Sequence, residues 1–305
     1  MNHLLDLASI GMDIPRKILD MAKLYKTQQK GLAQGAPLLG RTLGMIFEKP
    51  STRTRVSFEV AMTELGGSAI FLDANSMQMG RGETIEDTAK VLGRYIDGIM
   101  LRAINHDTLL QMAKFSEIPV INGLTDMSHP CQALADIMTF EENIGSIRGK
   151  KIAWIGDGNN VANSWIHASA IFGCELFLAC PKSRMPSSNA IEWSKKQGAN
   201  IVITQDPTKA AKNASAILTD TWVSMGEKFS KDPESIFGKY RVNQEIMNYA
   251  SKNAIFMHCL PAHRGREVTE EVIDGPNSVV WDEAENRLHI QKAILTWAIA
   301  DKITL

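Results

Sequence analysis

Short apolar segments of strand length alternate with longer amphipathic segments along the whole chain. Segments rich in Ile, Val, Leu and Phe predict buried strands, and the stretches between them are long enough for helices. In the first half the predicted strands are Thr42–Phe47, Ser68–Leu72, Gly98–Arg102 and Ile118–Asn122. In the second half they are Lys151–Gly156, Glu175–Cys180, Asn200–Thr204, Ala216–Thr219, Ile255–Leu260 and Val279–Trp281. This alternation predicts parallel sheets covered by helices on both faces.

The helical pattern is interrupted near residues 142–150, which contain two glycines, an asparagine and a serine. A length of 305 residues is enough for two domains. We therefore predict an α/β protein with two domains, each a parallel sheet flanked by helices. The predicted domains are residues 1–145 and 146–287, and an amphipathic helix within 288–305 is expected to pack back on the first domain.

Polar residues gather where the predicted strands end. Ligands of open parallel sheets bind outside the carboxyl ends of the strands. Six polar groups follow this rule: residues 51–55, Arg102, residues 126–132, residues 157–160, Asp220 and residues 258–261. Their placement predicts an active site in the cleft between the two domains.

Residues 51–55 place three hydroxyls and two guanidiniums at the expected N-terminus of a helix. Unpaired backbone N–H groups and the helix dipole attract anions to such a position. Arginine adds a planar set of donors that stays protonated. The pattern predicts a phosphate site. The alternative is that Ser51 only caps the helix and that Arg53 and Arg55 are solvated.

Arg102 and His129 are further candidates for anion chemistry. Arg102 ends an apolar strand, so it requires either a bound anion or an acidic partner in the protein. His129 precedes Pro130, which is favoured at the first position of a helix. The helix dipole favours a neutral imidazole there, which can donate to a carbonyl oxygen that becomes negative. A purely structural capping role is the alternative for His129.

The second half offers less specific signals. Residues 156–162 form a glycine-containing turn that lacks the third glycine of a dinucleotide site, so an NAD-dependent dehydrogenase is disfavoured. Asn159, Asn160 and Asp220 are suited to bind the head group of an amino acid. Cys259 lies at a strand end, and contact with a substrate or with the core is favoured over covalent catalysis.

Composition excludes several classes of protein. The net charge of −1 gives no support to binding of nucleic acid or acidic membranes, which would need a basic patch. No apolar run approaches the length of a membrane span, and the first residues do not resemble a signal or transit peptide. The four cysteines show no zinc-finger spacing. We therefore expect a cytoplasmic protein with neither a metal site nor a disulfide framework.

Together the motifs resemble the aspartate/ornithine carbamoyltransferase family. The resemblance rests first on Ser51-Thr52-Arg53-Thr54 and on His129-Pro130-Cys131-Gln132. Residues 220–226, Asp-Thr-Trp-Val-Ser-Met-Gly, and His258-Cys259-Leu260-Pro261 resemble the branch that uses ornithine. The aspartate branch carries His-Pro-Leu-Pro-Arg at the last motif, whereas this chain has Cys259 and Ala262. The resemblance covers nearly the full length.

The resemblance implies transfer of a carbamoyl group from carbamoyl phosphate to the δ-amine of ornithine, without a cofactor. The implied catalytic residues are Arg53, Thr54, Arg102 and His129. The implied carbamoyl-phosphate contacts are Ser51, Thr52, Arg53, Thr54, Gln78, Arg102, His129, Pro130, Cys131, Gln132, Cys259, Leu260 and Arg287. The implied ornithine contacts are Asn160, Asp220, Ser224 and Met225.

Further implications concern assembly. The resemblance implies a homotrimer in which Gln78 reaches a neighbouring subunit's site. For Arg287 the alternative is an ion pair with Glu283 or Glu285.

Two other functions remain open: a carbamoyltransferase for another amine or amino acid, and a protein that binds a phosphorylated metabolite without turning it over.

Overall fold

The computed structural model describes residues 1–28, 31, 33–79, 81–223 and 232–300. The chain divides into two compact units. The first unit comprises Met1–Leu134 and the segment from Glu285 onward, and the second comprises Ala135–Ala284. Within the described residues, no helix combines the length and the apolar character needed to cross a membrane.

Strands and helices alternate along the chain. The strands are β1 (Thr42–Phe47), β2 (Ser68–Asp73), β3 (Gly98–Arg102), β4 (Val120–Leu124), β5 (Lys151–Ile155), β6 (Glu175–Ala179), β7 (Ile201–Thr204), β8 (Ala216–Thr219) and β9 (Ile255–His258). The helices are α1 (Ile14–Thr27), α2 (Thr52–Glu64), α3 (Ile85–Leu92), α4 (His106–Phe115), α5 (Pro130–Ile144), α6 (Asn160–Phe172), α7 (Ser188–Lys196), α8 (Pro207–Ala211), α9 (Pro233–Phe237), α10 (Gln244–Tyr249), α11 (Glu270–Ile273) and α12 (Val280–Ala300).

The first unit contains a four-stranded parallel sheet in the order β2-β1-β3-β4. Strands β1 and β3 are buried along nearly their whole length, which explains their unbroken apolar sequences. Ile46, Ile99 and Leu101 pack with Leu109 and Met112 of α4 in the core. The strand order reverses between β1 and β3, and this switch point is where ligands of such sheets bind.

The second unit contains a five-stranded parallel sheet in the order β7-β6-β5-β8-β9. Ala153, Ile155, Ile217 and Phe256 form its core together with Val272 of α11. Here the order reverses between β5 and β8. The loops after these two strands therefore face the same edge of the sheet, and they carry Asn159, Asn160 and Asp220.

The predicted two-domain α/β architecture is confirmed, one predicted strand is wrong, and several strand ends differ by one or two residues. Val279–Trp281 is not a strand: Val279 donates one backbone hydrogen bond to Phe256, and α12 begins at Val280. Asp282 and Glu283 in its first turn complement the helix dipole, a signal that the three apolar residues obscured. The C-terminal helix therefore starts eight residues before Leu288, and β4 starts two residues after Ile118.

Candidate active site

The N-terminus of α2 lies directly after Ser51, in the segment where the sequence predicts an anion site. Ser51 is its N-cap, and its hydroxyl accepts a hydrogen bond from the Thr54 backbone N–H at 3.4 Å. The same hydroxyl donates to the Thr54 side chain at 3.1 Å. The first turn contains no acidic residue, and Arg53 is exposed. The helix dipole and the Arg53 guanidinium therefore attract anions without an internal competitor in that turn.

Three predicted carbamoyl-phosphate contacts meet through the Arg287 side chain. Arg287 lies on α12 and is 5% exposed. Its Nη1 donates to Gln132 Oε1 on α5 at 2.6 Å, and its Nη2 donates to Thr54 Oγ1 on α2 at 3.5 Å. Residues far apart in the sequence are thus joined in the first unit. This arrangement fixes Thr54 and Gln132 relative to a buried positive charge.

His129 is buried directly before the first residue of α5. Burial lowers its pKa well below the usual value, and the positive charges of Arg287, Arg102 and Arg53 lower it further. The sequence predicts a neutral imidazole from the helix dipole, whereas burial and the three guanidiniums are the causes in the structure. The imidazole is therefore neutral at pH 7 and is surrounded by groups that stabilise negative charge.

In the second unit, Asp220 follows β8 and lies at the centre of a hydrogen-bonded group. Asn159 Nδ2 donates to Asp220 Oδ2 at 2.7 Å. The Cys259 thiol donates to Asp220 Oδ1 at 3.1 Å, and the Thr221 backbone N–H donates to the same oxygen at 2.7 Å. Asn159 also caps α6 through its Oδ1. The Asp220 carboxylate is therefore held in one orientation by three donors.

The surroundings of Cys259 are strongly electronegative. Burial raises the pKa of its thiol well above the usual value, and the nearby carboxylates of Asp220, Glu283 and Asp136 raise it further. The thiol therefore stays protonated at neutral pH and is a poor nucleophile. The same carboxylates favour a cationic ligand over an anionic one.

Comparison with known proteins decides the family. The carbamoyl-phosphate-binding domain of aspartate/ornithine carbamoyltransferases matches residues 2–142, and the aspartate/ornithine-binding domain of that family matches residues 148–298. The chain belongs to the aspartate/ornithine carbamoyltransferase family.

Individual relatives carry the name of the ornithine branch. The ornithine carbamoyltransferase of Rhodopseudomonas palustris is 54% identical over 300 residues, covering 97% of this chain and 96% of the relative. The solved structure of ornithine carbamoyltransferase from Pyrococcus furiosus has a TM-score of 0.93 at 48% identity and covers 99% of this chain and 98% of its own. The anabolic ornithine carbamoyltransferase of Campylobacter jejuni has a TM-score of 0.92 at 41% identity, covering 99% of this chain and 100% of its own.

The other candidate residues of this carbamoyltransferase occupy varied surroundings. Gln78 lies in an exposed loop after β2. Pro130 opens α5, and the buried Cys131 thiol donates to the Asn122 carbonyl at 3.5 Å while burial raises its pKa to about 11. Asn160 accepts the Val161 backbone N–H at 3.0 Å. Ser224 and Met225 lie outside the described residues.

The sequence indicates the chemistry of Asn159 but not its contact, and it gives no sign of a role for Glu267. The residues favour Asn159 and Asn160 together, the resemblance implies only Asn160, and in the structure it is Asn159 that donates to Asp220. A short polar residue directly before a helix is an N-cap signal, and that signal was available. Glu267 is 1% exposed and lies 3.4 Å from His258 Nε2, and no local pattern indicates this contact.

Asp220, His258 and Cys259 form a group of the residue types that bind metals. Their ligand atoms lie within 4.8 Å of one another. Each is already hydrogen-bonded: the thiol donates to Asp220, and His258 Nδ1 accepts the Leu260 backbone N–H at 2.9 Å. Metal binding would require a thiolate, which the raised pKa of Cys259 opposes.

The lowered pKa of His129 predicts a pH-dependent stability. Below pH 6.5 the unfolded imidazole binds a proton that the folded one excludes, so stability is lost as the pH falls through the unfolded value. Between pH 7.5 and 5.5 we expect His129 to remove about 1.4 kcal/mol of unfolding free energy. Urea unfolding of wild type and His129→Gln at fixed protein concentration measures this. An equal pH dependence in both proteins would contradict it.

The raised pKa of Cys259 predicts low reactivity. At pH 7.5 we expect iodoacetamide to alkylate Cys259 at least about tenfold more slowly than a free cysteine, because little thiolate is present. Asp220→Asn removes one carboxylate and is expected to speed the reaction. Mass spectrometry of tryptic peptides over time gives both rates. Rapid stoichiometric labelling of Cys259 in the wild type would be inconsistent with this environment.

Proposed function

We propose that the protein transfers the carbamoyl group of carbamoyl phosphate to the δ-amine of L-ornithine, producing L-citrulline and phosphate. The observation that carries this proposal is the convergence of Arg53, Arg102 and Arg287 around the neutral, buried His129. Such a set matches a dianionic phosphate beside a carbonyl oxygen that becomes negative. The family membership and the names of the relatives support the same reaction.

The first unit supplies the proposed carbamoyl-phosphate contacts. Residues 51–54 and the Arg102 guanidinium bind the phosphate, and Gln78 joins them from a neighbouring copy. Thr54, Arg102 and His129 donate to the carbonyl oxygen. Arg287 holds Gln132, whose side chain orients the carbamoyl NH2. Donors of this kind each contribute about 2.7–4 kcal/mol to oxyanion stabilisation.

The second unit supplies the proposed acceptor contacts. The Asp220 carboxylate binds the α-ammonium of ornithine, with Asn160, Ser224 and Met225 as further contacts. The Asp136 and Glu283 carboxylates raise the negative charge near Cys259. This charge favours ornithine, which is cationic, over aspartate, which carries an additional carboxylate.

In the proposed reaction the δ-nitrogen forms a bond to the carbonyl carbon, and the bond from that carbon to the phosphate oxygen breaks. Only the free amine is a nucleophile. With a pKa of about 10.4, deprotonating it at pH 7 costs roughly 4.6 kcal/mol. Neighbouring arginines and exclusion of water disfavour a second cation and lower this cost. The departing phosphate accepts the amine proton, so the chemistry requires no general base, metal or organic cofactor.

The proposal also includes the direction in which the reaction runs and the cellular location of the protein. Citrulline formation would serve arginine biosynthesis, and the similar ornithine carbamoyltransferase of Campylobacter jejuni is an anabolic enzyme. A cytoplasmic location is supported by four free cysteines, of which three are buried. Unpaired thiols are typical of reducing compartments.

The deciding experiment is citrulline formation from carbamoyl phosphate and ornithine, run beside aspartate and putrescine as acceptors. We expect turnover with ornithine alone, and loss of turnover in Arg53→Ala. Turnover with a different acceptor would keep the carbamoyl-phosphate assignment and overturn the ornithine assignment. Carbamoyl-phosphate binding without turnover of any acceptor would overturn the enzymatic function.

We further propose that the protein is a homotrimer with sites shared between copies. An apolar surface of α2 and β2 supports a partner copy: Val56, Val60, Ile70 and Phe71 are 50%, 36%, 47% and 38% exposed. Strand β2 is one of the two edge strands of its sheet, and it is exposed or half-buried along its length. Isolated apolar side chains at the surface are common, but four exposed apolar residues on one helix and an edge strand support an interface.

A charge placed on this surface is expected to dissociate the trimer. Sedimentation velocity should give a trimer for wild type and smaller species for Phe71→Asp, while Tyr249→Asp in the second unit serves as an exposed apolar control. Sharing of sites is tested by mixing Gln78→Ala and Arg102→Ala subunits, which should regain activity together. A trimer unaffected by Phe71→Asp would contradict this interface.

A further inference from the structure

The turn that carries Leu260 is held by a buried pair of side chains with no assigned role. We propose that Glu267 and His258 are positioning residues that fix the Leu260 backbone so that it presents only carbonyl oxygens to the carbamoyl NH2. This inference rests on the proposed function, and it adds that the backbone at Cys259 and Leu260, two of the implied carbamoyl-phosphate contacts, orients the carbamoyl NH2 together with Gln132.

The contacts run from Glu267 through His258 to Leu260. Glu267 Oε1 accepts the His263 backbone N–H at 2.5 Å and lies 3.4 Å from His258 Nε2. His258 Nδ1 accepts the Leu260 backbone N–H at 2.9 Å. Glu267 therefore connects to both ends of the turn between His258 and His263.

These contacts specify the protonation of the imidazole. Because Nδ1 accepts the Leu260 N–H, it carries no proton, and a neutral ring then carries its proton on Nε2. Nε2 is the atom that faces the Glu267 carboxylate. A carboxylate beside one ring nitrogen is the usual way in which a protein selects a tautomer. Without Glu267, the carboxylate that favours the proton on Nε2 would be lost, so Nδ1 would no longer be kept free to accept the Leu260 N–H.

Glu267 is suited to this role because it is a buried carboxylate. Burial alone would raise its pKa, but hydrogen bonds from His258 and from the His263 backbone lower it below the usual value. The strand end is fixed separately, since the His258 backbone N–H donates to the buried Glu283 carboxylate at 2.8 Å. The His258 backbone is thus fixed by Glu283, and its imidazole lies between the Leu260 N–H at Nδ1 and the Glu267 carboxylate, 3.4 Å from Nε2.

As a consequence, neither Leu260 nor Pro261 offers a free backbone N–H donor to a ligand. The Leu260 N–H is occupied by His258, and Pro261 has no N–H. Leu260 also has φ of 57°, a left-handed conformation that a non-glycine residue keeps only where its surroundings hold it. A ligand meets carbonyl oxygens there, which suit an NH2 group and not a methyl group or a carbonyl oxygen.

A pair of ligands tests this selectivity. Phosphonoacetamide carries the amide of the substrate, and acetonylphosphonate replaces its NH2 with a methyl group. By isothermal titration calorimetry we expect the wild type to bind phosphonoacetamide at least about tenfold more tightly than acetonylphosphonate. Binding of inorganic phosphate is measured in every protein as the reference for the phosphate contacts. Wild type that binds neither ligand would overturn the proposed function and this inference together.

Two variants remove the Nδ1 acceptor by different routes. His258→Phe deletes it, and Glu267→Leu deletes the carboxylate that specifies it. In each we expect the preference for the amide to fall to less than about threefold, while inorganic phosphate binds within about twofold of wild type. General loosening of the fold would weaken both organic ligands equally. Wild-type preference in a folded His258→Phe would overturn the inference and leave the proposed function intact.

A local replacement for the acceptor provides the rescue. An Asn side chain accepts the N–H two residues on, so His258→Asn supplies an acceptor for Leu260 without Glu267. We expect His258→Asn, alone or combined with Glu267→Leu, to keep most of the preference for the amide. The effect of Glu267→Leu would then disappear when residue 258 is Asn, so the effects of the two substitutions would not add. Asp274→Asn, which breaks only the exposed ion pair with Arg264, serves as the control in the same segment. Loss of preference in the double variant would overturn the inference.

Discussion

Replacing Arg102 with alanine is expected to lower kcat about 100- to 1,000-fold. Arg102 ends β3 at the switch point of the first sheet, is 7% exposed, and lies close enough to His129 to lower its pKa. In the proposed reaction it both binds the phosphate and donates to the developing oxyanion. Loss of one such donor costs about 10²–10³ in kcat. Steady-state kinetics with both substrates varied measures the loss.

Two further variants identify what the Arg102 guanidinium contributes. Arg102→Lys keeps the charge but loses the planar pair of donors, so we expect an intermediate kcat. Arg94→Ala removes an exposed arginine of the same unit and should leave kcat unchanged. Arg102→Ala should also raise the pKa of His129 toward its usual value, which a histidine NMR titration detects. Full activity in Arg102→Ala would remove Arg102 from the catalytic set.

The position of the polar residues was predictable because parallel sheets place the carboxyl ends of their strands at one edge. The bounds of β1, β3 and β8 follow from uninterrupted apolar sequence, and those bounds place residues 51–55, Arg102 and Asp220 at strand ends. The sequence could therefore indicate which residues gather at each sheet. It could not give their pairing, because contacts such as that between Thr54 and Arg287 join helices far apart in the sequence.

Local signals failed where tertiary contacts determine the conformation. The apolar residues Val279–Trp281 resemble a strand, yet only one backbone bond joins them to β9 before α12 begins. Glu267 resembles an ordinary charged residue in a loop, and its burial depends on the path of the segment after β9. His129 shows the intermediate case: its neutral state was predicted, but burial, the largest cause, is not visible in the sequence.

Replacing Asp220 with asparagine is expected to raise the KM for ornithine about 100-fold. The substitution keeps the size of the side chain and one acceptor for Asn159 or Thr221, and removes the charge proposed to bind the α-ammonium. Loss of one partner of a buried charge pair costs about 2–5 kcal/mol, which corresponds to this range. Titration of ornithine at saturating carbamoyl phosphate measures the change.

Two comparisons distinguish a specific loss of ornithine binding in Asp220→Asn from a general disturbance of the structure. Asp220→Asn should bind phosphonoacetamide within about twofold of wild type, because the phosphate contacts lie on other residues. Asp206→Asn, an exposed cap of α8 in the same unit, should leave both constants unchanged. If Asp220 binds the acceptor, wild type should bind ornithine more tightly than an uncharged analogue, and Asp220→Asn should lose this difference. An unchanged KM for ornithine in Asp220→Asn would place the α-ammonium elsewhere and leave the Asp220, Asn159 and Cys259 group with a structural role.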